Sequence, residues 1–259
     1  MPNSDQKALA PRRWDNLRTL IRDRGVIRIE DLCRELKVSS ATVRRDLDQL
    51  EQSGAIRRVH GGAMSVESRL DEPVFAAKAS LAAREKRGIA EAALALIEPG
   101  DTIYLDGGTT VLELARLLRE RTNLTVVTNS LQAAHELAGR GPRLILIGGE
   151  LRRLSQTVVG PMTRLVLQEL HLDKAFMGTI GFTLKEGLTT TDPGEAFTKE
   201  MVMSRARQVF VLADSSKAGK LSFARAGGWD KVHALITDKQ VDPQFAKELV
   251  KTGIKLVRA

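Results

Sequence analysis

The residues best suited to chemistry fall into two groups. The first is a set of short polar sequences that each follow an apolar run: Asp106-Gly107-Gly108-Thr109-Thr110, Thr128-Asn129-Ser130, Gly148-Gly149-Glu150, Gly178-Thr179-Ile180-Gly181, Asp214-Ser215-Ser216-Lys217 and Thr237-Asp238. In Asp106–Thr110 the glycines let backbone approach a ligand closely. The threonines offer hydroxyls and N–H groups at a helix start, which suits a phosphate. The Asp106 carboxylate suits sugar hydroxyls instead, and Lys217 brings a compact positive charge. A tight turn with an N-cap accounts for Asp106–Thr110 without any ligand. Two familiar phosphate motifs are missing. Asp-Gly-Gly-Thr-Thr is not G-x-G-x-x-G, and Gly219-Lys220 is followed by Leu221 without the earlier glycine of a P-loop.

The second group lies in Lys37–Ala63. Ser39 or Ser40 suits an N-cap. Val43, Leu47 and Leu50 then recur at helical spacing and form a core face, opposite Ala41, Arg45, Asp48 and Gln49. Ser53-Gly54 ends that helix, and Ile56–Val59 with Gly61-Gly62 makes a hairpin. A helix with a dry back and an Arg/Thr/Ser front, followed by Arg57 and Arg58, suits a reader of the major groove, where arginine bonds guanine bidentately. An ordinary surface helix with solvated charges has the same composition.

The elements that position these groups differ along the chain. Residues 1–10 are expected to be a disordered tail. A helix over Pro11–Arg24 points Trp14, Leu17, Leu20 and Ile21 inward, and a second over Glu30–Lys37 buries Leu32, Cys33 and Leu36. Val26–Ile29 is an extended link between them. Three short helices, a tight turn before the third and a hairpin after it form a winged helix-turn-helix pattern over 11–66. Residues 67–98 then hold a polar linker and an Ala-rich connecting helix over Val74–Ile97, broken near Gly88. Over 99–259 strands alternate with helices: Thr102–Leu105, Leu124–Val127, Arg143–Ile147, Lys174–Met177, Gln208–Leu212, Val232–Ile236 and Lys255–Val257. The helices include Thr110–Glu120, Leu131–Ala138, Met162–Leu170 and Glu195–Ala206. That alternation predicts a doubly wound, mostly parallel α/β sheet with ligands beyond the strand ends.

Composition narrows the function classes. The formal net charge is +8, and residues 1–70 hold 14 Lys/Arg against 10 Asp/Glu, which favours a polyanionic partner there. No apolar run reaches the roughly 18 residues of a membrane helix, and no secretion signal is visible. One cysteine, Cys33, and four scattered histidines give no disulfide and no metal site, and imply a reducing, cytoplasmic home. No cofactor is indicated.

Val38-Ser39, Thr42–Leu47, Leu50-Glu51, Gly54 and His60–Ala63 together resemble the DNA-binding domain of DeoR-type bacterial transcription regulators. Asp-Gly-Gly-Thr-Thr, Val127–Ser130, Gly148-Gly149, Gly178 with Gly181, Glu195, Ala213-Asp214 and Ser216-Lys217 look like the effector domain of the same family. The resemblance spans about residues 14–240. It implies an effector domain similar in fold to ribose-5-phosphate isomerase that senses a phosphorylated sugar or polyol. Together with the local chemistry it implies DNA contacts at Ser39, Ser40, Thr42, Arg44, Arg45, Arg57, Arg58 and His60, with Arg45 leading base readout. Asp46 would then partner a nearby arginine, since a carboxylate repels phosphate. Effector contacts are implied at Asp106, Gly107, Gly108, Thr109, Thr110, Asn129, Ser130, Gly149, Arg152, Gly178, Glu195 and Lys217. The expected protein is a non-catalytic repressor of a carbohydrate or polyol operon, bound to operator DNA as a dimer or tetramer and released by its effector. The competing reading is an active sugar-phosphate isomerase or deaminase fused to a DNA-binding module. Asp106, Glu195 and Lys217 would then supply acid, base and charge, although no close carboxylate pair stands out in the sequence.

Overall fold

The computed structural model describes residues 13–21, 26–52, 56–59, 61–65, 72–73, 75–139 and 141–259. The expected tail over 1–10 lies outside them. The chain divides into two compact units, Met1–Asp71 and Glu72–Ala259.

The first unit starts with a helix over 13–21 (α1), then β1 (Val26–Arg28), α2 (Ile29–Leu36), α3 (Ser40–Gln52), β2 (Ile56–Val59) and β3 (Gly62–Ser65). The stretch expected as a mere link is therefore partly a strand. β1 pairs with β3 and β3 with β2, all antiparallel, so the hairpin gains a third strand. Leu17, Ile21, Ile27, Leu32, Val43, Leu47, Leu50 and Ile56 form one buried core, with Trp14, Cys33 and Leu36 packed at its margin. The turn between α2 and α3 passes through Lys37 at φ 53, which lets the chain reverse within three residues. Ser39 then caps α3, its Oγ accepting from the Thr42 N–H at 3.2 Å.

Asp46 is the one charged residue on the core face of α3. It accepts from Arg13 Nε at 2.5 Å, Arg13 Nη2 at 3.0 Å and Trp14 Nε1 at 2.9 Å. The acid sits there because it ties α1 to α3, and its bond holds the Arg13 guanidinium above the ordinary arginine value.

The second unit opens with α4 (Phe75–Ser80) and α5 (Ala83–Leu94). The expected single helix is interrupted at Leu81-Ala82, not at Gly88. Ala82 adopts φ 49, and the buried Lys86 ammonium caps the end of α4 by donating to the Lys78 and Leu81 carbonyls, each at 2.5 Å. Then follow β4 (Thr102–Leu105), α6 (Thr109–Leu117), β5 (Thr125–Thr128), α7 (Leu131–Leu137), β6 (Arg143–Leu146), β7 (Glu150–Arg152), β8 (Thr157–Val159), α8 (Arg164–Leu167), β9 (Leu172–Met177), β10 (Gly181–Thr183), β11 (Gly187–Thr190), α9 (Pro193–Arg205), β12 (Ala206–Leu212), β13 (Ala224–Gly227), β14 (Ala234–Thr237), α10 (Pro243–Lys251) and β15 (Lys255–Arg258).

Seven strands form one parallel sheet in the order β15-β14-β12-β9-β4-β5-β6. Successive residues point to opposite faces, which splits the core. Ile103, Leu105, Val126, Phe176 and Phe210 pack under α5, α6 and α7. Tyr104, Val127, Ala175, Met177, Val209 and Val211 pack with residues of α8, α9, α10 and the antiparallel sheet β10-β11-β13. From β4 the chain winds one way to β6, and from β9 the other way to β15. The strand order therefore reverses between β4 and β9, where the crevice of an open α/β sheet lies.

Candidate functional site

Asp106 follows β4 and Gly178 follows β9, so the reversal brings both to one place. The Gly178 N–H donates to Asp106 Oδ2 at 2.9 Å. A Cβ on Gly107 would lie 2.1 Å from Thr157 Cγ2, and one on Gly178 2.6 Å from the Gly107 carbonyl. Only glycine lets these strand ends meet so closely. The result is a cavity lined by Asp106, Gly107, Gly108, Thr109, Thr110, Asn129, Gly178, Glu195 and Lys217, all foreseen in the sequence, together with Glu72, Lys78, Lys86, Thr157, Lys199 and Asp214, which were not foreseen as contacts.

The floor is a buried ionic cluster. α9 starts at Asp192-Pro193, where Asp192 Oδ1 accepts from the Glu195 N–H at 2.9 Å. Glu195 and Lys199 are one turn apart on its buried side. Lys199 Nζ donates to Asp106 Oδ2 and, at 3.0 Å, to the Gly178 carbonyl. Burial alone would lower the lysine, but Asp106 and Glu195 outweigh it and hold the ammonium above its ordinary value. Burial likewise raises Asp106, against the pull of Lys199. Glu195 is held below the ordinary carboxylate value in spite of burial, by Lys199, by its hydrogen bonds and by Arg152. It accepts from Thr190 Oγ1 at 2.6 Å and Thr157 Oγ1 at 3.3 Å. Asp106 and Glu195, far apart in sequence, thus act on one ammonium.

One end of the cavity is cationic. Lys86 is lowered from its ordinary value by burial, with Lys217 and Lys78 adding repulsion. Lys217 is lowered first by burial, then by Lys220 and Lys78. Lysines crowded in this way are stabilised by a bound anion. Beside them α6 begins at Gly108, which supplies no capping side chain for the first-turn N–H groups. At Asn129, Nδ2 donates to the Val158 carbonyl at 3.0 Å, whereas the buried Oδ1 has no partner among the described residues.

Three expected contacts lie elsewhere. Ser130 caps α7, accepting from the Ala133 N–H at 3.2 Å. Gly149 packs on Val158, Val159 and Thr163. Arg152 sits behind the cavity wall, where Nη1 reaches Glu72 at 2.8 Å and Glu195 at 3.1 Å, and Nη2 reaches Thr191 at 3.0 Å. Lys199 was recoverable from its four-residue spacing to Glu195. Lys86 was not, because it sits in the run Arg84-Glu85-Lys86-Arg87 with nothing to mark it as buried. Among the described residues no acidic, histidine or cysteine group could hold a metal.

In the first unit α3 exposes Ser40, Ala41, Arg44, Arg45, Asp48 and Gln49, with Thr42 half-buried beside Ser39. Arg44 and Arg45 stand on a helix whose back is fixed by the core. Arg58 is engaged within the unit. Its guanidinium pairs with Asp48, and its N–H donates to Glu51 Oε1 at 2.7 Å, so it braces the hairpin against α3. The side chain of Arg57 and all of His60 lie outside the described residues.

The family described as "DeoR C terminal sensor domain" matches residues 81–239, and that described as "DeoR-like helix-turn-helix domain" matches residues 13–69. The chain belongs to the DeoR family. As a DeoR-family protein it is a DNA-binding transcription regulator. The lactose phosphotransferase system repressor of Streptococcus mutans is 39% identical over 239 residues, covering 91% of this chain and 94% of that protein. The putative aga operon transcriptional repressor of Escherichia coli O157:H7 is 33% identical over 240 residues, covering 92% and 89%. Among solved structures, a D-ribose-5-phosphate isomerase in complex with phospho-erythronic acid aligns over 53% of this chain and 55% of its own, with 19% identity and a TM-score of 0.41. No described helix of this DeoR-family chain is long and apolar enough to cross a membrane.

Proposed function

We propose that the protein is a cytoplasmic repressor of a carbohydrate or polyol operon, and that a phosphorylated sugar or polyol bound in the cavity releases it from its operator. The observation that carries this reading is the polarity of the cavity. Lys78, Lys86, Lys217 and the start of α6 form a cationic end that suits a phosphate. Asn129 Oδ1, buried and unpartnered among the described residues, suits a ligand hydroxyl. Both relatives above are named as repressors, the first of the lactose phosphotransferase system and the second of the aga operon. In the floor Asp106 pairs with Lys199, and Glu195 accepts from Thr190, Thr157 and Arg152. The sensor reading is preferred to an isomerase because the relatives are named as regulators.

On the DNA side, Arg45 reads base edges, Arg44 and Thr42 support it, and Ser39 and Ser40 approach phosphate at the start of α3. The protein works as a dimer or tetramer, because helix-turn-helix regulators read paired half-sites. The reading is tested by a thermal-shift screen of phosphorylated sugars and polyols against their unphosphorylated forms. A ligand of the native state raises the midpoint by mass action. A rise confined to phosphorylated compounds is expected. A rise with the unphosphorylated forms alone would refute the phosphate assignment.

A further inference from the structure

We propose that Glu72 is a built-in anion that holds the cationic wall of the cavity, and that a phosphate ligand displaces it and so frees the point where the second unit joins the preceding chain. This rests on the reading of the cavity as a phosphate site. Glu72 is the first residue of the second unit, at the end of the polar stretch Ser65–Glu72. A glutamate in such a stretch is ordinarily solvated. Here its side chain is only 1% exposed. Its carboxylate accepts from Lys78 Nζ at 2.5 Å, Arg152 Nη1 at 2.8 Å and Thr191 Oγ1 at 2.6 Å.

Burying a carboxylate is costly unless it is paired, and these partners compensate it. Glu72 and Lys78 both line the cavity, so an entering phosphate meets one as a like charge and the other as a partner. A phosphate monoester near neutral pH carries more charge than one carboxylate and has three acceptor oxygens, so it competes for Lys78 on favourable terms. Arg152 links Glu72 to Glu195 on the floor, so rearrangement at either carboxylate reaches the other. β3 of the DNA-binding unit ends at Ser65, and residues 66–71 alone connect it to Glu72. The carboxylate thus belongs to the first residue of the sensor unit, and Pro73 stiffens the backbone next to it.

The test uses the full chain and inorganic phosphate. Phosphate affinity is measured by 31P NMR titration for the wild type, Glu72→Gln and Thr191→Val. The second variant loosens the grip on Glu72 from a position off the cavity lining and carries the test if the first fails to fold. Trypsin cleavage after Arg69 is followed by mass spectrometry in parallel. Both variants are expected to bind phosphate roughly tenfold more tightly, the middle of the usual range for coupled sites. Phosphate should speed cleavage after Arg69 in the wild type, and Glu72→Gln should already cleave fast without it. Phosphate binding that is equal or weaker in the variants, or wild-type cleavage that phosphate leaves unchanged or slows, would overturn the displacement and leave the phosphate site standing. Failure of all three proteins to bind phosphate would overturn both.

Discussion

Replacing Lys217 with methionine keeps the stem of the side chain and removes its charge. Lys217 is held below the ordinary lysine value, first by burial and then by Lys220 and Lys78, against the pull of Asp214. A folded value below the unfolded one means that the unfolded chain binds the proton more tightly. The charged ammonium therefore opposes folding, and stability rises with pH only between the folded value and the unfolded value of about 10.4. Lys217→Met removes that opposition at neutral pH, so the melting temperature without ligand should stay or rise. The effector, once identified, loses one charge-assisted hydrogen bond, worth about 1.5–3 kcal/mol. That converts to roughly 10- to 150-fold more ligand for half-release of DNA. The assay is operator binding by fluorescence anisotropy across a ligand titration, with melting curves alongside. A variant with weakened operator binding and an unchanged ligand requirement would refute the placement of Lys217 at the phosphate.

Arg45→Ala should cost about 1–3 kcal/mol on a specific site and much less on random DNA, measured by competition; equal losses would reduce Arg45 to a phosphate contact. Asp46→Ala strands the Arg13 and Trp14 donors and should destabilise the first unit by about 1.5–3 kcal/mol in urea melts; no loss would show that the pair does not tie α1 to α3. Lys199→Met leaves Asp106 buried without its cation, a loss of about 3–5 kcal/mol at neutral pH. The unpaired Asp106 has a raised folded value, so stability is recovered as the pH falls through it, and melting curves of the variant should converge on the wild type in acid.

The parallel sheet was legible because its strands are short apolar runs, and every one of the seven foreseen strands lies in it. The smaller strands β7, β8, β10, β11 and β13 were not. Sequences such as Gly181–Thr183 and Gly187–Thr190 show no period-two alternation, since every residue of β11 is buried, and glycine and threonine there resemble loop. The break at Leu81-Ala82 was invisible because Lys86, nothing more than another charge in a helix, makes it by bonding carbonyls of the preceding turn. At the cavity, glycines and threonines after strands marked the wall and Ser216-Lys217 marked one cation, whereas Lys78, Lys86 and Lys199 come from helices with no motif. Asp46 was legible by contradiction, as a carboxylate on a helix that otherwise suits DNA. The bond of Arg58 to Asp48 was not legible because it joins β2 to α3 across ten residues.

The most direct measurement is the affinity of the full chain for a DNA site selected from random sequence, with and without the phosphorylated ligand found in the thermal-shift screen. If DNA and ligand prefer different states, the ligand weakens DNA binding by about 5- to 150-fold, and DNA weakens ligand binding by the same factor. Reciprocal weakening of that size is the predicted result. DNA affinity that the bound ligand leaves unchanged or tightens would contradict the account.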